Sequence, residues 1–159
     1  MSEKRTPIII GSDHAAYDLK EKIKAFLVQR GIDVEDVGPH GEDSVDYPDF
    51  GIKVASMVSA GKFERGILLC GTGIGMSMVA NKFPYVRAAL CTDLFSSIMS
   101  RRHNNSNILV MGGYVVGDVL AMEIVKAWLE TPYDGGRHQR RLDKFDRIDT
   151  AISDEDSGV

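Results

Sequence analysis

The chain has 159 residues, 43% hydrophobic and 26% charged, which is enough to bury a core and fits one domain over residues 1–159. No apolar run approaches the length of a membrane span, the opening Met1-Ser2-Glu3-Lys4-Arg5 lacks the apolar stretch of a signal peptide, and a net charge of -4 argues against nucleic acid, whose phosphates want a basic face. Two cysteines, Cys70 and Cys91, each close an apolar run, so a disulfide framework is not expected and a reducing cytoplasm is the simpler setting.

The run Pro7-Ile8-Ile9-Ile10-Gly11-Ser12 reads as a first buried strand, being too short for a helix and rich in β-branched residues. Leu19, Ile23, Phe26 and Leu27 recur at helical spacing and predict a helix over 15–30, with Gly31 as its stop. A short strand follows over 32–37, then a turn at Gly38-Pro39-His40-Gly41 and an acidic loop over 42–49. A helix is predicted over 50–60, a third strand over 67–70 and a fourth over 87–91. A helix over 94–102 leads to a fifth strand over 107–111. Another helix spans 118–130, ahead of Pro132, and a last one spans 137–152. Residues 153–159 are expected to form a loose polar tail. Strands alternate with helices throughout, which predicts an α/β fold whose parallel sheet is covered on both faces.

In such sheets ligands bind at the carboxyl ends of the strands. Polar and glycine residues gather at those ends: Ser12-Asp13-His14, Cys70-Gly71-Thr72-Gly73-Ile74-Gly75, Thr92-Asp93 and Gly112-Gly113-Tyr114. Cys70 is placed to act as a base or nucleophile, because a thiol beside a helix N-terminus is more readily ionised. The glycine run after it lets backbone N–H groups approach a developing oxyanion. It has neither the lysine of a Walker loop nor the spacing of a dinucleotide fingerprint, so no nucleotide is implied. Tight strand–helix packing would also explain these glycines. Cys91 has no such run and reads as core.

Asp13 can cap the next helix or accept hydrogen bonds from sugar hydroxyls, and His14 can donate to an anion. Arg101-Arg102-His103-Asn104-Asn105 closes a helix, where basic residues suit the dipole. His103 is nevertheless a candidate acid–base group, and Asn104 can hold an enolate oxygen. Arg137 and Arg141 stand four apart on one helical face, as a fork for phosphate or as a solvated basic surface. The four histidines are scattered without zinc-type spacing, so no metal site is expected.

Taken together, Gly11-Ser12-Asp13-His14-Ala15-Ala16, Asp46-Tyr47-Pro48-Asp49, the run from Cys70 to Gly75, Arg102-His103-Asn104-Asn105, Gly117 after Val115-Val116, and Gly135-Gly136-Arg137-His138 occur in an order that resembles the type B ribose-5-phosphate isomerase family. That family includes allose-6-phosphate and galactose-6-phosphate isomerases, and the likeness runs over about residues 8–152. It implies a Rossmann-like three-layer α/β/α sandwich with a five-stranded parallel sheet. It also implies an enzyme that interconverts ribose 5-phosphate and ribulose 5-phosphate in the pentose phosphate pathway, through a cis-enediolate, without metal or cofactor.

Carried over by position, Cys70 resembles the base and Thr72 a helper beside it. Gly71, Thr72, Gly73, Ile74 and Gly75 resemble the oxyanion cradle, and His103 the group that opens the sugar ring. Asp13 and Asn104 resemble hydroxyl binders, and His14, Arg137 and Arg141 phosphate binders. The family places its site between two subunits of a homodimer, or within a tetramer, with His103 and Asn104 supplied by the second chain. Some members carry a Glu just past the glycine run, where this chain has Met76. Tyr114 stands where the family usually has a phosphate-binding Arg. That departure keeps open an isomerase of another sugar or sugar phosphate, such as a tetrulose phosphate. A non-catalytic sugar-phosphate-binding protein is the alternative from a different class.

Overall fold

A computed structural model describes residues 6–156, with side chains through residue 151. Five strands form one all-parallel sheet: β1 (Ile8–Ser12), β2 (Val34–Asp36), β3 (Arg65–Cys70), β4 (Ala88–Leu90) and β5 (Ile108–Gly112), in the order β2-β1-β3-β5-β4. Six helices alternate with and follow them: α1 (Tyr17–Gln29), α2 (Tyr47–Ser59), α3 (Ile74–Ala80), α4 (Leu94–Asn104), α5 (Asp118–Glu130) and α6 (Arg137–Asp156). The three-layer α/β/α sandwich is the one expected.

Side chains on a strand alternate between faces, and each face has its own core. Ile8, Ile10, Ile67, Leu69, Leu109 and Met111 meet Leu19, Ile23 and Leu27 of α1 and Ile124, Val125 and Trp128 of α5. Ile9, Leu68, Ile108 and Val110 meet Val54, Ala55 and Val58 of α2 and Met76 and Ala80 of α3. The three central strands are buried on both sides, which is why they read as unbroken apolar runs.

Three helix boundaries that differ from the sequence reading have a local cause. Helix α1 starts at Tyr17, because Asp13 Oδ1 accepts the Ala16 N–H at 3.1 Å and holds the chain in a turn first. Helix α2 starts at Tyr47 inside the supposed acidic loop, since Pro48 suits a first turn, where its missing N–H costs nothing. Helix α6 runs on to Asp156, so residues 153–156 are helical rather than loose; no Gly or Pro interrupts the chain there. Residues 157–159 of the expected tail lie outside the described residues. Among the described residues no helix is long and apolar enough to cross a membrane.

Candidate active site

Strand β1 has β2 on one side and β3 on the other, so a crevice opens at the carboxyl ends of β1 and β3. Ser12-Asp13-His14 leaves one strand there and Cys70 ends the other. The ends are stitched together by the backbone: the Asp13 N–H donates to Leu69 O at 3.1 Å, and the Gly113 N–H to Cys70 O at 2.8 Å.

Cys70 is buried, with its thiol on the glycine turn. The Gly73 N–H donates to Cys70 Sγ at 3.2 Å. Gly73 has φ 80°, a left-handed conformation that glycine adopts without strain. A Cβ on Gly112 would stand 2.5 Å from the Thr72 carbonyl carbon and oxygen, so β5 approaches the turn as closely as backbone allows. Within the expected cradle, two N–H groups are engaged internally: Gly73 on the thiol, and Ile74 on Thr72 Oγ1 at 3.3 Å. At the start of α3, Gly75 has no acceptor within its own helix. Aromatic rings line both ends of the turn, Tyr114 against Gly71 and Tyr47 against Gly75.

Asp13 is buried beside this turn, with one carboxylate oxygen holding Ala16. His14 is exposed, and its Nδ1 accepts the Val45 N–H at 3.1 Å. That bond leaves Nε2 as the ring's donor, the form suited to an anionic oxygen.

The second set of predicted residues lies elsewhere. Parallel strands all point one way, so α4, which returns from β4 to β5, ends at the amino side of the sheet. His103 and Asn104 close α4 just before β5 begins at Ile108, whereas Cys70 pairs with Gly112 at the strand's far end. Four strand steps separate these levels by roughly 13 Å. The structure therefore places Asp13, His14 and residues 70–75 together at the carboxyl ends of the strands, and His103 and Asn104 at the opposite side of the sheet.

Helix α6 joins the second group. The His103 and His138 rings stack with centroids 4.2 Å apart and planes 12° from parallel. His138 is buried at the start of α6, flanked by the exposed Arg137 and Arg141. Burial, the neighbouring His103, and then Arg137 and Arg141 push the His138 pKa down, while Asp134 pulls it up. Asp134 also takes the Arg102 guanidinium at 3.1 Å.

His138 and Asp134 are members of this cluster to which the sequence reading gave no role. His138 lies 35 residues from His103, and only the return of α6 onto α4 joins them. His103, Asp134 and His138 bring three metal-ligand atoms within 4.8 Å of one another. However, stacked rings send their lone pairs side by side rather than to one point, so an ion there requires one ring to turn.

The ribose/galactose isomerase family model matches residues 8–145. The chain belongs to the ribose/galactose isomerase family. It is 45% identical to the ribose-5-phosphate isomerase B of Escherichia coli, over 89% of this chain and 95% of that protein. It is also 45% identical to a D-erythrulose-4-phosphate isomerase of Pectobacterium atrosepticum, over 87% and 91%. Its fold superposes on the ribose-5-phosphate isomerase B of Clostridium thermocellum with a TM-score of 0.90 and 51% identity, covering 92% of this chain and 99% of that one. The resemblance first read from ordered motifs is thus a family membership, and the chain is an isomerase.

Proposed function

We propose that the protein interconverts ribose 5-phosphate and ribulose 5-phosphate, with Cys70 moving the proton between C2 and C1. The observation that carries this reading is the buried thiol at the end of β3, held by the Gly73 N–H in a member of this family. As a thiolate, Cys70 takes the C2 proton of the open-chain aldose and the electron pair moves to the carbonyl, giving a cis-enediolate. Returning the proton to C1 completes the ketose. The oxygen that gains charge lies over the glycine turn, where backbone N–H groups and the start of α3 favour it. Thr72, two residues along the chain from the thiol, shuttles protons between the two oxygens. His103 moves the proton that opens the furanose ring. Asp13 and Asn104 bind hydroxyls, and His14, Arg137 and Arg141 bind the phosphate.

These roles require the two half-sites to meet, and we infer that they do so across a homodimer. Phe95 (72% exposed), Val119 (81%) and Tyr114 (77%) lie bare on the segments that leave the carboxyl ends of β4 and β5. A two-fold partner would cover such a surface and bring His103 of the partner subunit to Cys70.

A second reading is an isomerase of another sugar phosphate. Tyr114 supports it, since a phenol contributes no positive charge at the phosphate end, and so does the 45% identity to an isomerase of a four-carbon substrate. Ribose 5-phosphate turnover in the presence of a chelator, by the native protein and by Cys70→Ala, tests the proposal. Turnover that collapses in Cys70→Ala supports it. Equal activity in both removes Cys70 as the base. An inactive native protein that turns over erythrulose 4-phosphate favours the second reading.

A further inference from the structure

A cavity of about 450 Å³ opens at the amino side of the sheet, away from Cys70, and three arginines line it: Arg65 at the start of β3, Arg87 just before β4, and Arg101 on α4. Arg101 is only 6% exposed. One of its terminal nitrogens donates to Ser106 O, but its buried Nε has no partner. Among the described residues, no carboxylate is within salt-bridge distance of Arg65 or Arg101. Arg65 donates to Leu129 O at 3.0 Å, and Arg87 to Asn105 O at 3.0 Å and Tyr85 O. The fully buried Trp128 ring takes both neighbours, with the Arg65 guanidinium 5.3 Å and the Arg101 guanidinium 5.9 Å from its centre. Glu64 is the acidic residue on the cavity wall.

Bringing three guanidinium groups together in a half-dry pocket is unfavourable unless negative charge joins them. Burial, and then repulsion from Arg65 and Arg87, pulls the Arg101 pKa down to about 10. A desolvated arginine with no carboxylate partner suits the planar oxygens of a phosphate or carboxylate. From these contacts we infer that the Arg65–Arg87–Arg101 cavity binds a small polyanion bearing phosphate or carboxylate groups, separate from the sugar-phosphate site. Arg101 is two residues before His103 on α4, so an anion held there steadies the helix end that carries the second half-site.

Trp128 is the chain's one tryptophan and reports on this cavity directly. Its fluorescence would be followed while inorganic phosphate or citrate is added, against chloride at matched ionic strength. A saturable change is expected, and the stronger of the two anions identifies the ligand chemistry. Arg65→Gln should weaken it by about tenfold or more, the loss of one charged hydrogen-bonding partner, and Arg65→Lys should restore part of it. Arg137→Ala should leave it unchanged. If circular dichroism shows that Arg65→Gln is unfolded, Arg87→Gln is measured in its place. A response no larger than that of chloride would mean that water alone fills the cavity. An equal response in Arg65→Gln, or one abolished by Arg137→Ala, would also overturn the inference.

Discussion

A Cys70→Ala chain keeps the His103 half-site, and a His103→Ala chain keeps the Cys70 half-site. The roughly 13 Å of strand between those levels means that neither chain can complete a site alone. Each variant should lose ~100-fold or more of its turnover, the usual share of a positioned acid or base. When the two are mixed at equal concentration, unfolded and refolded together, random pairing makes half of the dimers mixed. A two-fold interface uses the same pair of patches twice, so each mixed dimer carries one doubly damaged site and one intact site. About a quarter of native turnover should then return. The assay is ribose 5-phosphate isomerisation before and after co-refolding, with each variant refolded alone as a control. Activity that stays at the level of the separate variants would refute the division of the site between two chains, and with it the roles given to Arg137 and Arg141.

Other consequences concern stability, charge and substrate grip. Lys20 is fully buried and donates to Asp36 at 2.7 Å, while Lys24 donates to the same carboxylate at 2.6 Å and the Gly38 N–H at 2.9 Å. Asp36→Asn leaves the Lys20 charge short of its main partner, which should cost about 3 kcal/mol and lower Tm by about 6–12 °C; a fall under about 2 °C would show that Glu21 suffices. Burial works against the Asp36 charge, but the two lysines and the Gly38 N–H outweigh it and hold the pKa below the usual carboxylate range. Its stabilisation is therefore present above that range and lost as pH falls through the lowered value, so melts taken against pH should show a flatter acid limb in Asp36→Asn. His138 should titrate below the ordinary histidine value in NMR spectra, and Asp134→Asn should lower it further, since Asp134 is the group that raises it; a midpoint that rises would contradict the arrangement. Because the unfolded chain takes that proton first, the His138 contribution to stability declines as pH drops below the unfolded value. Tyr114 lies exposed with its ring on Gly71, so Tyr114→Arg adds a cation there and should lower KM for ribose 5-phosphate about tenfold, the worth of a charged hydrogen bond. An unchanged KM would place the phosphate elsewhere.

Much of the architecture was readable along the chain because local rules decided it. The strands Ile8–Ser12, Arg65–Cys70 and Ile108–Gly112 are buried on both faces, and such strands must be apolar throughout. The helix Asp118–Glu130 carries its own spacing and its own stop before Pro132. The carboxyl-end group was equally open to reading, since Asp13 and His14 follow β1, Cys70 ends β3, and the sheet's direction collects strand ends. Boundaries failed where a side chain or a ring outweighed pattern, as with Asp13 holding Ala16 and Pro48 opening α2.

By itself the sequence determined the α/β layering, the gathering of polar and glycine residues at the strands' carboxyl ends, and the family, because these depend on residue type and on neighbours close along the chain. Only the tertiary structure decided that His103 stacks on His138 and that both stand at the opposite end of the sheet from Cys70. It alone brought Arg65, Arg87 and Arg101 around one cavity. These juxtapositions depend on the direction in which α4 returns and on where α6 docks. Neither is written in any single stretch of residues, since helix packing is set by surfaces that meet only after the chain has closed.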